Sequence, residues 1–125
     1  MTKSYEQDIQ KLNSIVKSIT NIKVAFEKFS INDVSNFQNN ELVQLCCTQI
    51  LTNIYQDKKA LDENIYNKLT ELNKIELGKP RNIASHDYNS LDFSIIYGIC
   101  KRLVKSIVLS EIYAVLAEIE EVSDD

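Results

Sequence analysis

Four residues suited to chemistry lie close together in this chain, at Arg81, Asn82, His86 and Tyr88. Arginine carries a permanent positive charge on a planar fork that suits phosphate. Histidine, present here only once, gives and takes a proton near neutral pH. RNA cleavage without metal needs a base for the ribose 2′-hydroxyl and a cation beside the phosphorus centre. The residue types of Arg81, His86 and Tyr88 therefore match the needs of RNA cleavage without metal.

Helix geometry limits how these side chains can meet. Residues five apart on a continuous helix are separated by about 140° around its axis, so Arg81 and His86 would not share a face. Asn82 and His86, four apart, would share one, and Asn82 is expected to orient the imidazole. Arg81 reaches the same phosphate if the helix unwinds near Ser85, or if a second subunit completes the site. We favour a cleft between two subunits.

A plainer interpretation of these residues exists. A lone arginine and a lone histidine near a loop are usually surface residues, and Tyr88 would usually be half-buried packing. Residue chemistry alone favours that interpretation over catalysis.

The chain around this stretch has the periodicity of helices. A first amphipathic helix is expected from about Ser4, and the charged residues from Asp8 onward fall largely on its wet side. A short turn of helix after Asp33 and a second long helix capped by Asn39 or Asn40 follow. The first helix has an apolar stripe of Ile9, Leu12, Val16, Ile19, Ile22, Phe26 and Phe29.

The second long helix is apolar over more than one stripe, which is typical of a helix inside a bundle or at a subunit interface. Asp62 is expected to cap a shorter third helix that carries Ile65, Tyr66, Leu69 and Leu72. The wide apolar arc of the second helix comprises Leu42, Val43, Leu45, Cys46, Cys47, Ile50, Leu51, Ile54 and Tyr55.

Pro80 is well placed in the first turn of a short helix over Arg81 to Tyr88. Ser90 is the expected N-cap of the last helix, with Asp92 in its first turn, and the pattern predicts about 28 continuous residues. The basic residues available to RNA are Lys79, Arg81 and the cluster of Lys101, Arg102 and Lys105. Of these, Lys79 and Arg102 are the expected RNA contacts.

Length and composition bound the fold. The chain has 125 residues, of which two are glycine and one is proline. Sheet-rich folds use more of these turn residues, so long helices are favoured. We expect one all-α domain over residues 1–125, an antiparallel bundle of four main helices plus short helices. Its acidic last residues should fray because they oppose the helix dipole.

Composition also limits the classes of function. The first eight residues are polar and carry acids, unlike a secretory signal, and no apolar run approaches the roughly 20 residues of a membrane span, so a cytoplasmic protein without membrane contact is expected. Cys46, Cys47 and Cys100 are expected to be buried reduced thiols, and a metal site is not expected. The net charge of −4 argues against binding of nucleic acid over the whole protein surface. It remains compatible with a small local basic site.

The pattern R-N-x-x-x-H-x-Y from Arg81 to Tyr88, with Leu91-Asp92-Phe93 leading into the last helix, resembles the HEPN superfamily of small helical ribonucleases. It is most similar to the HepT-like toxins, whose signature is R-x4-H-x-Y. The resemblance covers the chain from about Asp8 to Glu121 and implies a HEPN-like fold.

The resemblance further implies a homodimeric ribonuclease toxin of a type II toxin–antitoxin pair. The implied antitoxin is a small nucleotidyltransferase of the MntA type, which silences the toxin by transferring AMP groups onto the motif tyrosine. Carried over to this chain, Arg81 and His86 are catalytic, Asn82 supports them, and Tyr88 is the AMP acceptor. No cofactor is implied.

Two other interpretations stay open at this point. The chain is alternatively a non-catalytic helical dimer that binds a nucleotidyltransferase partner or a nucleotide. A plain helix-bundle adaptor is the third, and it would leave the position of the only histidine within the pattern to chance.

Overall fold

The computed structural model describes residues 5–77 and 92–123. Within these ranges the chain is helical and contains no strand, which confirms the all-α prediction for the described part. Its helices are α1 (Glu6–Lys28), α2 (Val34–Gln38), α3 (Glu41–Lys59), α4 (Glu63–Tyr66), α5 (Thr70–Asn73), α6 (Phe93–Leu103) and α7 (Ser106–Ser123).

The centre of the molecule is the pair formed by α1 and α3, and α7 also packs against α1. A polar contact also joins the pair, because the Ser14 hydroxyl donates to Asp57 Oδ2 over 2.6 Å. Burial of the apolar side chains between α1 and α3 is the main source of stability for such a fold. The fully buried residues of α1 and α3 are Leu12, Ile15, Ile19, Ile22, Cys47, Leu51 and Ile54.

The buried face of α1 differs from the predicted stripe at both ends. Ile15 is fully buried, whereas Phe29 is 39% exposed, because the helix ends at Lys28 and Ser30 turns the chain with a φ of 54°. Asp8 was expected on the wet side and is buried instead. Its Oδ1 accepts from the Asp62 backbone N–H at 2.8 Å, which supplies the polar partner that burial requires.

The predicted caps of α2 and α3 are confirmed. The Asp33 carboxylate accepts from the Asn36 backbone N–H at 2.8 Å, and Asn40 Oδ1 accepts from Val43 N–H at 3.0 Å. The buried Gln44 amide ties the two helices together by donating to the carbonyls of Phe37 and Gln38 at 2.7 and 2.8 Å. The short helix is therefore held at both of its ends.

The wide apolar arc of α3 is buried only on one side. Val43 and Leu51 face the core, but Leu42 is 56% exposed and Leu45 is 48% exposed. No described element covers this side, so the described residues do not enclose α3, and the alternative position at a subunit interface stays a prediction.

The predicted third helix is two single turns, α4 and α5, rather than one element. Asp62 caps α4 as expected, accepting from Asn64 N–H at 3.0 Å. Leu69 interrupts the helix with a ψ of 59°, which places its fully buried side chain in the core. Burial of Leu69 thus outweighs continuation of the helix.

A carboxylate from α7 caps α5. Glu111 accepts from the Glu71 backbone N–H at 2.9 and 3.0 Å, from Leu72 N–H at 3.3 Å, and from the Thr70 hydroxyl at 2.7 Å. These are the donors that a helix start leaves unpaired, and a negative charge there also complements the helix dipole. Glu111 therefore fastens the segment before residue 78 to the last helix.

The prediction of one continuous last helix is wrong. The chain bends at Val104 and Lys105. There the Lys105 N–H donates to the Arg102 carbonyl and the Val108 N–H donates to the Lys105 carbonyl, each acceptor lying three residues back rather than four. The bend lets α6 pack on α2 and α3 while α7 packs on α1 and α5. A straight helix would not reach both sets of neighbours.

The start of the last helices also differs from the prediction. Asp92, and not Ser90, is the N-cap of α6, because Asp92 Oδ1 accepts from Ser94 N–H at 3.0 Å. Ser90 itself lies outside the described residues.

Replacing Glu111 by alanine tests the cap of α5. The substitution leaves two backbone N–H groups without their carboxylate, so the free energy of unfolding should fall by about 1–2 kcal/mol. The melting temperature should drop by roughly 4–8 °C in a thermal melt. Glu120→Ala is the matched control, an exposed acid on the same helix, expected to change stability by less than about 0.5 kcal/mol. Equal effects of the two substitutions would contradict the assigned cap.

Candidate functional site

The stretch predicted to do chemistry lies outside the described residues. Lys79, Arg81, Asn82, His86 and Tyr88 all fall within residues 78–91, so their predicted roles stay predictions. Arg102 is the one predicted site residue that the structure places.

Both described ends of the chain that flank this stretch are firmly anchored. On one side, Ile75 and Leu77 are buried in the core, and Glu76 between them is exposed. On the other side, Asp92 caps α6 and accepts from the Ser94 hydroxyl at 2.6 Å. This bond, together with the one from Ser94 N–H, lowers the pKa of Asp92 below its usual value.

An aromatic cluster fixes the position of α6. The fully buried Phe37 ring lies 6.4 Å from Phe93, the first residue of α6, and 5.6 Å from Tyr97 one turn later. Phe26 of α1 stacks on Tyr97 at 5.7 Å and meets Phe37 edge-on at 6.0 Å. Ring centroids at 4.5–7 Å are the range in which aromatic pairs attract. The cluster therefore fixes the start of α6 against α1 and α2.

A groove of about 460 Å³ lies at these anchored ends. Arg102 is exposed on α6 beside it, and its guanidinium makes no hydrogen bond or ion pair with any described residue. The described residues that line the groove are Glu76, Ser94, Ile95, Gly98, Ile99 and Arg102.

Sequence reasoning selected Arg102 but missed the other residues of this groove. Glu76 and Gly98 come together only because the fold brings α6 beside the segment after α5. Gly98 did carry a signal, since it is one of two glycines in the chain and lies within a helical pattern.

Lys101, Arg102 and Lys105 are all exposed near the bend between α6 and α7. They form a local basic surface on a chain whose net charge is −4. A cluster of this kind attracts phosphate at short range even when the whole protein is acidic.

A second groove, of about 590 Å³, lies between α1 and α3, on the side of α3 that no described element covers. Val24, Phe29 and Leu45 supply apolar surface to it and are 52%, 39% and 48% exposed. Lys28 is the only charged side chain among the described residues that line it. Apolar surface gathered in this way commonly marks an interface.

The three cysteines are free thiols in two environments. Cys47 and Cys100 are fully buried where α3 meets α6, and a hydrogen bond between them together with burial raises the pKa of Cys100. Cys46 is exposed and lines the apolar groove, so the expectation that it is buried is wrong. The reason is that no element among residues 5–77 and 92–123 covers the side of α3 that bears Cys46.

The described residues lack two kinds of feature. No group of three or more histidine, cysteine, aspartate or glutamate side chains among them could hold a metal ion. None of the described helices combines the length and apolar character that a membrane crossing requires.

Comparisons of the chain with protein-family models, with curated proteins and with solved structures give no match.

Proposed function

We propose that this protein is a metal-independent endoribonuclease toxin of a type II toxin–antitoxin system that acts in the cytoplasm as a homodimer with a HEPN-like helical bundle. The observation that carries the proposal is the pattern from Arg81 to Tyr88, which places the only histidine four residues after Asn82 and beside an arginine and a tyrosine. Its all-helical surroundings in the described residues support the proposal, since the resemblance implies them.

In the proposed reaction, His86 takes the proton from a ribose 2′-hydroxyl, whose oxygen attacks the adjacent phosphorus. Arg81 neutralises the charge that grows on the phosphoryl oxygens, and Asn82 orients the imidazole. The bond between phosphorus and the 5′-oxygen of the next nucleotide breaks, a 2′,3′-cyclic phosphate remains, and the departing 5′-oxygen takes a proton from water. Lys79 and Arg102 hold neighbouring phosphates of the RNA.

The proposed homodimer uses the apolar groove between α1 and α3. Two acidic chains repel each other over most of their surface, but this face carries only Lys28 among its described lining residues. A second copy seated there would remove Val24, Phe29 and Leu45 from water without bringing acids together.

The proposed antitoxin is an MntA-type nucleotidyltransferase that modifies Tyr88. In this step the tyrosine hydroxyl attacks the α-phosphorus of ATP, an AMP group becomes bound to the tyrosine oxygen, and pyrophosphate leaves. The added negative charge would lie two residues from His86 and compete with RNA phosphate for Arg81.

A non-catalytic helical dimer that binds a nucleotidyltransferase or a nucleotide is the second candidate. The acidic balance of the chain favours it, because a net charge of −4 opposes broad contact with RNA. RNA cleavage by the purified protein separates the two candidates, because only the first one cuts RNA.

The catalytic assignment is tested by Arg81→Ala and His86→Ala. Each should slow cleavage of a labelled RNA by about 10²-fold or more, because a general base or the phosphate-binding cation is lost. Growth arrest on expression without a partner should disappear as well. Ser85→Ala, in the same stretch, is the control and should cleave like wild type. Cleavage should persist in EDTA; His86→Ala cutting RNA at the wild-type rate would rule the mechanism out.

The regulatory assignment is tested by Tyr88→Phe, which removes the acceptor oxygen and little else. Co-expressed with an MntA-type nucleotidyltransferase, wild type should gain the mass of one or more AMP groups and lose its ribonuclease activity. Tyr88→Phe should gain no mass and keep that activity. Intact-mass spectrometry measures both chains. Silencing of wild type without added mass would show that the partner acts by covering the protein instead.

The dimer is tested by Leu45→Glu, which places a charge on the proposed interface. Sedimentation velocity at micromolar concentration should give twice 14.4 kDa for wild type and 14.4 kDa for the variant. Tyr113→Glu is the control, because Tyr113 is 53% exposed on α7, away from the apolar groove, and should stay dimeric. A monomeric wild type would refute the dimer.

A further inference from the structure

We propose that the groove of Glu76, Gly98 and Arg102 binds one nucleotide of single-stranded RNA, with a base that carries an amino group. This inference rests on the proposed ribonuclease function and names the part of the substrate that the described residues recognise. The groove volume of about 460 Å³ lies in the range of sites that enclose a small ligand.

Gly98 is the first argument. Glycine within a helix costs about 0.5–1 kcal/mol relative to alanine, so its presence in the middle of α6 calls for a reason. The described residues do not supply one, since a Cβ built on Gly98 meets none of their atoms within 4 Å. The missing side chain therefore leaves space for something outside the fold to approach the helix backbone.

The surface on either side of Gly98 suits a nucleotide. Ile95 and Arg102 lie three residues before and four residues after Gly98, which puts all three on one helix face. Ile95 is 61% exposed and offers an apolar surface for a base. Arg102, which has no ion pair among the described residues, offers its fork to a phosphate.

Glu76 adds selectivity. Its side chain is exposed in the same groove, and it forms no ion pair with Arg102 or with any other described residue. A carboxylate accepts hydrogen bonds and donates none, so it favours a base edge that presents an amino group, as cytosine does and uracil does not. It also repels phosphate, which leaves only the Arg102 end of the groove for the backbone.

The position of the groove links it to the proposed chemistry. Glu76 precedes the stretch of residues 78–91 and Ser94 follows it, and both line the groove. A nucleotide bound there would hold the RNA beside the two points at which the chain enters and leaves that stretch.

The test uses fluorescein-labelled hexanucleotides of cytidine and of uridine in which fluorine replaces each 2′-hydroxyl, so that binding is measured without cleavage. By fluorescence anisotropy, wild type should bind the cytidine probe about fivefold or more tighter than the uridine probe. Glu76→Ala should reduce that ratio to about one, because the acceptor for the amino group is gone.

Two substitutions should weaken binding of both probes about tenfold, Arg102→Ala by loss of the phosphate contact and Gly98→Leu by filling the groove. The control for Arg102→Ala is Lys17→Ala, which removes one exposed positive charge from α1. The control for Gly98→Leu is Ala117→Leu, which enlarges an exposed side chain on α7. Both should bind like wild type. Thermal melts should show Gly98→Leu at least as stable as wild type.

The outcomes separate this inference from the ribonuclease proposal. Wild-type binding that is equal for the two probes, or unaffected by Gly98→Leu and Arg102→Ala, overturns the groove as a nucleotide site. If such a protein still cleaves ordinary RNA with a dependence on His86, the ribonuclease proposal stands alone. If the groove binds as expected but ordinary RNA stays intact, the groove stands and the ribonuclease proposal fails.

Discussion

Contact between the buried Phe37 ring and the first turns of α6 is the constraint on which the arrangement of this protein depends. Phe37 lies on the short helix α2, whose own ends are held by Asp33 and by the amide of Gln44. Burying a phenylalanine contributes roughly 1.5–3 kcal/mol, and its ring contacts add to that. Because Phe93 and Tyr97 pack on this ring, α6 can begin at only one place.

Carboxylates on one helix accept hydrogen bonds from backbone N–H groups of a distant segment at two places in the fold. Asp8 of α1 reaches the backbone of Asp62 before α4, and Glu111 of α7 caps α5. One- and two-turn elements have little stability of their own, so these distant carboxylates hold the segment from α4 to Leu77 in place. The surface around the groove is therefore built from both halves of the chain.

Local sequence signals predicted the helical class and the caps at Asp33, Asn40 and Asp62, because capping involves neighbours only a few residues apart. They failed for Asp8, for the split at Leu69 and for the bend at Val104, each of which follows from contacts between distant segments. Gly98 shows the same limit, since its spacing relative to Glu76 exists only in the folded chain.

The packing of α7 against α1 has a consequence for the order in which the molecule folds. α1 and α3 are near neighbours in the chain and can form a hairpin early, whereas α7 must close a loop of many residues to reach α1. The Glu111 cap likewise requires α7 to be in place beside α5. A chain in which only α1 and α3 have paired would therefore lack the carboxylate that holds the start of α5.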